Sequence, residues 1–505
     1  LLSIVVFVWG ASSLASYFYR RAEKAAPQIS LLSRVAVLVA GAICIGLCLF
    51  GIRGRMGYNP IKVSQAYYCE DPFLNQLGVN PVFNLLTSTL DDNRKENRTL
   101  HLMSEEDALS KVQKYLHRQG IDRLSPIARK VEREGTPNRR NVVLVFMESM
   151  SANLMGTFGS DKKLTPYLDS LYQQSLSFSH FYSSGIHTNH GIYSTLYSFP
   201  AIMKRNAMKG SVIPVYSGLP TVLQENGYCN LFFMTHESQY DNMNAFLRTN
   251  GFDEIYAQEN YPSEKVVNSF GVQDDFMYQY ALPILNERAG TGNPFFSVLL
   301  SISNHPPYVI PPYFHPHSDV LEEQIVEYAD WSIRQFMQAA EKQPWFDNTI
   351  FVFLGDHGKM VGTPECEMPQ SYNHIPLMIY GKDIKPGVYD GFGGQVDVSP
   401  TLLGLLNISY LQNNFGVNLL EEERPCMFFT ADNLIGARDS VNMFIYSPDS
   451  QQEFKYKLEE GKLHAATGTD EEAFRNLKDY CFSMLQSTES LVKEHKTLDK
   501  VSVKK

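Results

Sequence analysis

Residues 141–149 read NVVLVFMES. Seven uncharged residues, four of them Val or Phe, end at a carboxylate. Hydrophobicity that is continuous rather than alternating suits a strand covered on both faces, the situation of a parallel sheet between helical layers. The same pattern returns in LFFM (231–234), PFFSVLLSIS (294–303) and TIFVFL (349–354), each separated from the next by enough chain for helices. Together these runs predict an α/β domain with a central, mostly parallel sheet flanked by helices.

In such sheets, functional side chains gather beyond the carboxyl ends of the strands. Glu148 directly follows the first run, His305 follows FFSVLLSISN, and Asp356 with His357 follows TIFVFLG. A strand-end carboxylate is ordinarily a helix cap or a solvated loop residue, but four metal-competent side chains at separate strand ends point to one site. Asp356 and His357 sit in Gly-Asp-His-Gly, where the glycines let other backbone approach closely. Carboxylate and imidazole together suit Zn²⁺ or Mn²⁺, with Mg²⁺ a further candidate, better than an all-oxygen Ca²⁺ site.

A nucleophile is then required, and Thr188 in SSGIHTNHGIYSTLYSFP (183–200) is the candidate. It follows a strand-like SFSHFY and precedes a helix-like run, so its hydroxyl is expected at a helix N-terminus, where unpaired N–H groups and the dipole favour a phosphate. Metal coordination would lower the hydroxyl pKa enough for attack at neutral pH.

Six separated blocks carry a resemblance. NVVLVFMESMS, LTPYLDSLYQQSLSFSHFYSSGIHTNHGIYSTLYSFP, SISNHPPY, FLGDHG, HIPLMIYG and QVDVSPTLLGLL stand in the order found in the sulfatase-like branch of the alkaline phosphatase superfamily. The whole, to about residue 420, resembles membrane phosphoglycerol transferases of the lipoteichoic acid synthase type. That resemblance implies one divalent metal held by Glu148, Thr188, Asp356 and His357. It implies phosphoryl contacts from Asn304 and His305. His374 is similar to a second active-site histidine of phosphoethanolamine transferases.

Two departures stand out. Where the Gram-positive phosphoglycerol transferases carry an aromatic-x-Arg element, this chain has Asp241 and Met243; and Thr188 is followed by Asn189, His190 and Gly191, not by the Pro and Arg of a formylglycine site. The implied reaction is transfer of a phosphoglycerol-type head group from a phospholipid donor to a hydroxyl acceptor, on a glycan or a lipid, through a phosphothreonine intermediate. Transfer of phosphoethanolamine, or hydrolysis by a phosphodiesterase or sulfatase-like enzyme, stays open.

Composition sets outer limits. The chain has 505 residues with 44 Lys+Arg against 54 Asp+Glu, 44% hydrophobic and 12% aromatic. It is neither disordered nor a disulfide scaffold, and without a basic stripe it is not a nucleic-acid binder. Uncharged runs at about 1–19 and 35–52 predict two membrane spans, with Arg20, Arg21, Lys24 and Arg34 in the short loop between them. The positive-inside rule then places the catalytic domain outside the cytoplasm of a multi-pass protein of the cell membrane. Starting at Leu1 inside an apolar run, the chain reads as truncated within its membrane region. The expected organisation is a membrane region (1–52), a connector with a helix capped at Ser104 (53–140), a catalytic domain (141–420) and a C-terminal subdomain and tail (421–505).

Overall fold

Strand β1 (Asn141–Met147) is buried along its whole length. Even-numbered Val142, Leu144 and Phe146 join one hydrophobic cluster and odd-numbered Val143, Val145 and Met147 another. A pleated strand sends successive side chains to opposite faces, so a strand with apolar layers on both sides needs unbroken hydrophobicity. Each such side chain contributes about 1.5–3 kcal/mol on burial.

Those clusters belong to a computed structural model that describes residues 31–56, 60–69, 72–92, 99–121, 124–210, 213–459, 461–466 and 471–499, with Arg94 and scattered positions between 9 and 21. Around β1 lie β2 (Leu176–Tyr182), β3 (Cys229–Met234), β4 (Glu254–Tyr256), β5 (Phe295–Leu300), β6 (Thr349–Gly355), β7 (Leu377–Tyr380) and β8 (Gly387–Gly394). Their order across the sheet is β8-β2-β7-β6-β1-β5-β3-β4. Every pairing is parallel except those of β7, which runs against both β2 and β6. The sequence names the run containing β7 but holds nothing that sets its direction.

Register places the site. Met147 lies opposite Gly355, and Phe146 is paired with both Leu354 and Leu300. β1, β5 and β6 therefore end nearly level, and the residues that follow them emerge at one edge. One face of the sheet is covered by helices α3 (Pro166–Gln173), α5 (Asp274–Ala289) and α6 (Leu321–Ala340), whose apolar residues join the odd-numbered cluster. The other face carries α4 (Thr188–Tyr197), through Ile192, Tyr193 and Leu196.

Beyond the central sheet the chain builds a five-stranded antiparallel meander, β9 (Met427–Thr430), β10 (Ile435–Arg438), β11 (Asn442–Ser447), β12 (Gln452–Glu459) and β13 (Lys462–Ala465). No strand is read here from the sequence, because β12 and β13 are charged and lack a buried apolar run. Helix α7 (Glu471–Lys493) packs on the meander through Phe482 against Tyr446. The connector helix α2 (Glu105–Tyr115), capped by the Ser104 side chain as expected, packs on α7 through Tyr115 against Tyr480. Residues 62–505 accordingly form one compact unit and 1–61 another. In the latter, α1 (Leu31–Arg53) contains Arg34–Arg53, the only helix among the described residues long and apolar enough to cross a membrane. The span expected at 1–19 falls largely outside the described residues. Among the described residues no disulfide links any of the seven cysteines.

A buried ion pair ties the segment leading into the meander to the end of the central sheet. Arg424 donates from Nε and Nη2 to the two carboxylate oxygens of Asp397 at 2.7 and 2.6 Å, and from Nη2 to the Phe415 carbonyl. Asp397 in turn accepts from the N–H groups of Gly394, at the end of β8, and Val417. Removing one partner leaves an uncompensated buried charge, so Arg424→Met should lower stability by about 3–5 kcal/mol. Urea denaturation checks this, and a loss under about 1 kcal/mol would show that the pair is not a structural tie.

Candidate active site

Level strand ends bring Glu148 and Asp356 together, both buried. Ser149 joins them. It adopts a left-handed backbone, φ 51°, which a residue with a Cβ rarely takes without compensation. Here its N–H donates to Asp356 Oδ1 at 2.8 Å, its hydroxyl donates to Glu148 Oε1 at 2.8 Å, and its carbonyl accepts from Asn304 Nδ2 at 3.1 Å. One turn residue thus positions both carboxylates and the amide of a third strand end.

Asp356 Oδ1 also accepts from the His357 N–H, whereas its Oδ2 is buried with no partner among the described residues. His357 Nδ1 faces the Gly358 carbonyl at 2.8 Å. A carbonyl can only accept, so Nδ1 donates a proton to it, and in the neutral ring the lone pair is then on Nε2. That nitrogen faces Asp356 Oδ2 at 3.6 Å and Glu148 Oε1 at 3.8 Å. Burial, and then the neighbouring Asp356, raise the Glu148 pKa well above the usual carboxylate range.

Thr188 is the first residue of α4 rather than its cap, and its hydroxyl donates to Glu148 Oε2 at 3.4 Å. The helix comes this close because of Gly191: a Cβ there would lie 2.2 Å from the Asp356 carbonyl oxygen. At Gly358 a Cβ would lie 2.1 Å from the Ser371 carbonyl, which bears out the close backbone approach expected at the Asp-His turn.

Ligand atoms of Glu148, Asp356 and His357 lie within 4.8 Å of one another. Two carboxylates, a lone-pair imidazole, an orphaned buried oxygen and an adjacent hydroxyl make a donor set suited to a divalent ion. The bond from His357 Nδ1 to the Gly358 carbonyl is the kind that fixes a metal-binding tautomer.

His305 is part-exposed beside this cluster. Its Nδ1 donates to the Pro306 carbonyl at 2.7 Å, leaving Nε2 free, and burial lowers its pKa. Asn304 is buried, with its amide on Ser149 and its oxygen accepting from Lys359 Nζ at 2.6 Å. His374 is placed differently. Its Nε2 is hydrogen-bonded to the Ser179 carbonyl at 2.9 Å, its ring packs against Tyr182 and Phe158, and burial pushes its pKa down to about 4. Glu148, Thr188, Asp356, His357, Asn304 and His305 are therefore brought together, and His374 contacts none of them.

Several neighbours carried no recognisable sequence signal. Asp241 accepts from Asn189 Nδ2 at 3.1 Å and from Lys209 Nζ at 3.0 Å, which lines one side of the nucleophile with a mixed polar wall. His187, next to Thr188, pairs through Nε2 with Asp432 at 2.6 Å. Ser149 was hidden because its contribution is a backbone conformation. Lys359, three residues beyond Asp356, could have been noticed as a cation beside a metal motif.

The sulfatase family matches residues 140–408. The lipoteichoic acid synthase-like YvgJ of Bacillus subtilis is 25% identical over 362 residues, covering 65% of this chain and 56% of that protein. The chain thus spans little more than half the length of this curated relative. Among solved structures, a protein in the alkaline phosphatase superfamily from Vibrio parahaemolyticus is 25% identical with a TM-score of 0.72, over 80% of this chain and 99% of that one. The lipoteichoic acid synthase LtaP from Listeria monocytogenes shares the fold at 21% identity and a TM-score of 0.61, over 76% of this chain and 98% of that one.

Glu148 in the folded, metal-free protein holds its proton to higher pH than it does in the unfolded chain, near 4.3. The unfolded state therefore binds fewer protons above that pH, and this residue's contribution makes the metal-free protein less stable as pH rises through the raised folded pKa. Glu148→Gln should flatten that part of the profile, and saturating Mn²⁺ should reverse it, since the ion binds the ionised ligands. Urea denaturation between about pH 5 and 8, with chelator and with Mn²⁺, decides. A Glu148→Gln profile parallel to the parent's in both conditions would contradict the assignment.

Proposed function

The chain belongs to the sulfatase family, and from that premise we propose that it is a membrane-anchored, metal-dependent phosphotransferase. Its substrate on this reading is a phospholipid whose phosphoglycerol-type head group passes to a hydroxyl acceptor on a glycan or lipid. One observation carries the proposal: a threonine hydroxyl at a helix N-terminus donates to a carboxylate of the buried Glu148-Asp356-His357 cluster. Thr188 lacks the formylglycine context required for sulfate ester hydrolysis, and the likeness to a lipoteichoic acid synthase-like protein favours phosphoglycerol.

A divalent ion, Mn²⁺ or Zn²⁺, held by Glu148, Asp356, His357 and Thr188 would lower the hydroxyl pKa and draw off phosphoryl charge. The remaining steps belong to the chain. Thr188, its hydroxyl proton lost to solvent, attacks phosphorus through Oγ, the bond from phosphorus to the diacylglycerol oxygen breaks, and His305, protonated in the substrate complex where the phosphoryl charge offsets its burial, gives that oxygen a proton from Nε2. An acceptor hydroxyl then attacks the phosphothreonine, passes its proton to His305, and the phosphorus to Thr188 bond breaks. Each proton transfer of this kind contributes roughly 10²–10⁴-fold. The start of α4 supplies N–H groups and the positive dipole end to the phosphoryl oxygens. Helix α1 would keep the catalytic unit, on the extracytoplasmic side, near a donor that resides in the bilayer.

Mass spectrometry of the Thr188 peptide after incubation with phosphatidylglycerol or phosphatidylethanolamine tests the assignment. A glycerol-phosphate adduct is expected from the first lipid, absent in Thr188→Ala together with at least about a 10³-fold loss of diacylglycerol release. An ethanolamine-phosphate adduct alone would replace the head group, and turnover without any adduct would contradict covalent transfer.

A further inference from the structure

We propose that Lys359 is a substrate-binding cation whose ammonium grips a non-bridging phosphoryl oxygen. It rests on the phosphoryl-transfer reading of the site but not on which head group is moved. Lys359 follows the Asp356-His357 pair by two residues, so its backbone is fixed with the cluster. Its Nζ donates to Asn304 Oδ1 at 2.6 Å and lies 5.6 Å from the centroid of the Tyr308 ring. Asn304 is anchored to Ser149, which holds Glu148 and Asp356. The ammonium is thereby positioned through two hydrogen-bonded links from the carboxylate pair.

What it lacks is an anion. Among the described residues no carboxylate lies within ion-pair distance of Lys359, and Glu322 and Glu148 act on it only at longer range. By contrast, Lys209 on the other side of the nucleophile is already paired with Asp241 at 3.0 Å. An ammonium has three donors. One is used on Asn304, the ring face supports the charge without neutralising it, and the others remain for a ligand. A part-buried cation without a counter-charge is a cost that a bound anion offsets.

Charge counting shows why the reaction needs it. Glu148 and Asp356 cancel a divalent ion, so a phosphodiester brings a net negative charge, and attack by an ionised hydroxyl adds another. A chain with net charge −10 gives no help from its overall field. A fixed ammonium interacts more strongly with the transition state than with the ground state, the condition for raising kcat.

The test uses the full chain loaded with Mn²⁺ and inorganic phosphate as probe, with affinity read by calorimetry. Lys359→Met should weaken phosphate binding roughly 10- to 100-fold, the usual worth of a charge-assisted hydrogen bond, while Lys359→Arg keeps most of the affinity. Mn²⁺ affinity should be unchanged in both. If Lys359→Met does not fold, as read by its melting transition, Lys359→Gln takes its place. Thr188→Ala should still bind phosphate, so loss of the covalent step and loss of this contact are told apart. Phosphate affinity within about twofold of the parent in the Met variant, no phosphate binding by the parent, or a parallel loss of Mn²⁺ would each overturn the proposal.

Discussion

Two buried carboxylates a few ångströms apart, with an imidazole lone pair directed at both, form the constraint on which this molecule turns. At 4 Å, two like charges in a partly buried setting repel by about 4 kcal/mol, and burial adds the cost of desolvation. A protein can hold Glu148 and Asp356 this way only if it takes up protons or a cation there. The raised pKa of Glu148, the orphaned Oδ2 of Asp356 and the fixed tautomer of His357 are three expressions of that one requirement. Every nearby feature serves it: the left-handed Ser149, the level ends of β1 and β6, and the missing side chain at Gly191.

Catalytic capacity follows from what the cluster recruits. α4 brings Thr188 against Glu148, and β5 delivers Asn304 and His305 from the opposite side of β1. Three separate strands and one helix thus converge on one volume. The rigidity comes from the sheet, whose strands β1, β5 and β6 are buried throughout. On the proposed reading, the charge of an anionic lipid would have to be met locally, because the whole chain is acidic.

Sequence legibility tracked burial. β1, β3, β5 and β6 could be read because both faces are apolar, and Glu148, Asp356 and His357 because they directly follow those strands. β7 gave no sign of its direction, since four apolar residues fit either polarity. In the meander, β12 and β13 were hidden by their charged, part-exposed residues. Thr188 was expected at a helix N-terminus, and it is the first residue of α4. Ser149 acts through φ, and Lys209 with Asp241 through a contact between residues 32 apart in sequence. Neither leaves a mark in composition or spacing. His374 illustrates the reverse: a motif match suggested the phosphoryl group, whereas its ring nitrogen is engaged by β2.

The central claim is that Glu148, Asp356, His357 and Thr188 enclose one divalent ion. Anomalous diffraction from crystals of the protein grown with Mn²⁺ tests it directly. The account predicts a single strong peak within coordination distance of all four side chains. A peak that leaves Thr188 or either carboxylate outside the coordination sphere, or no peak at saturating Mn²⁺ or Zn²⁺, would contradict it.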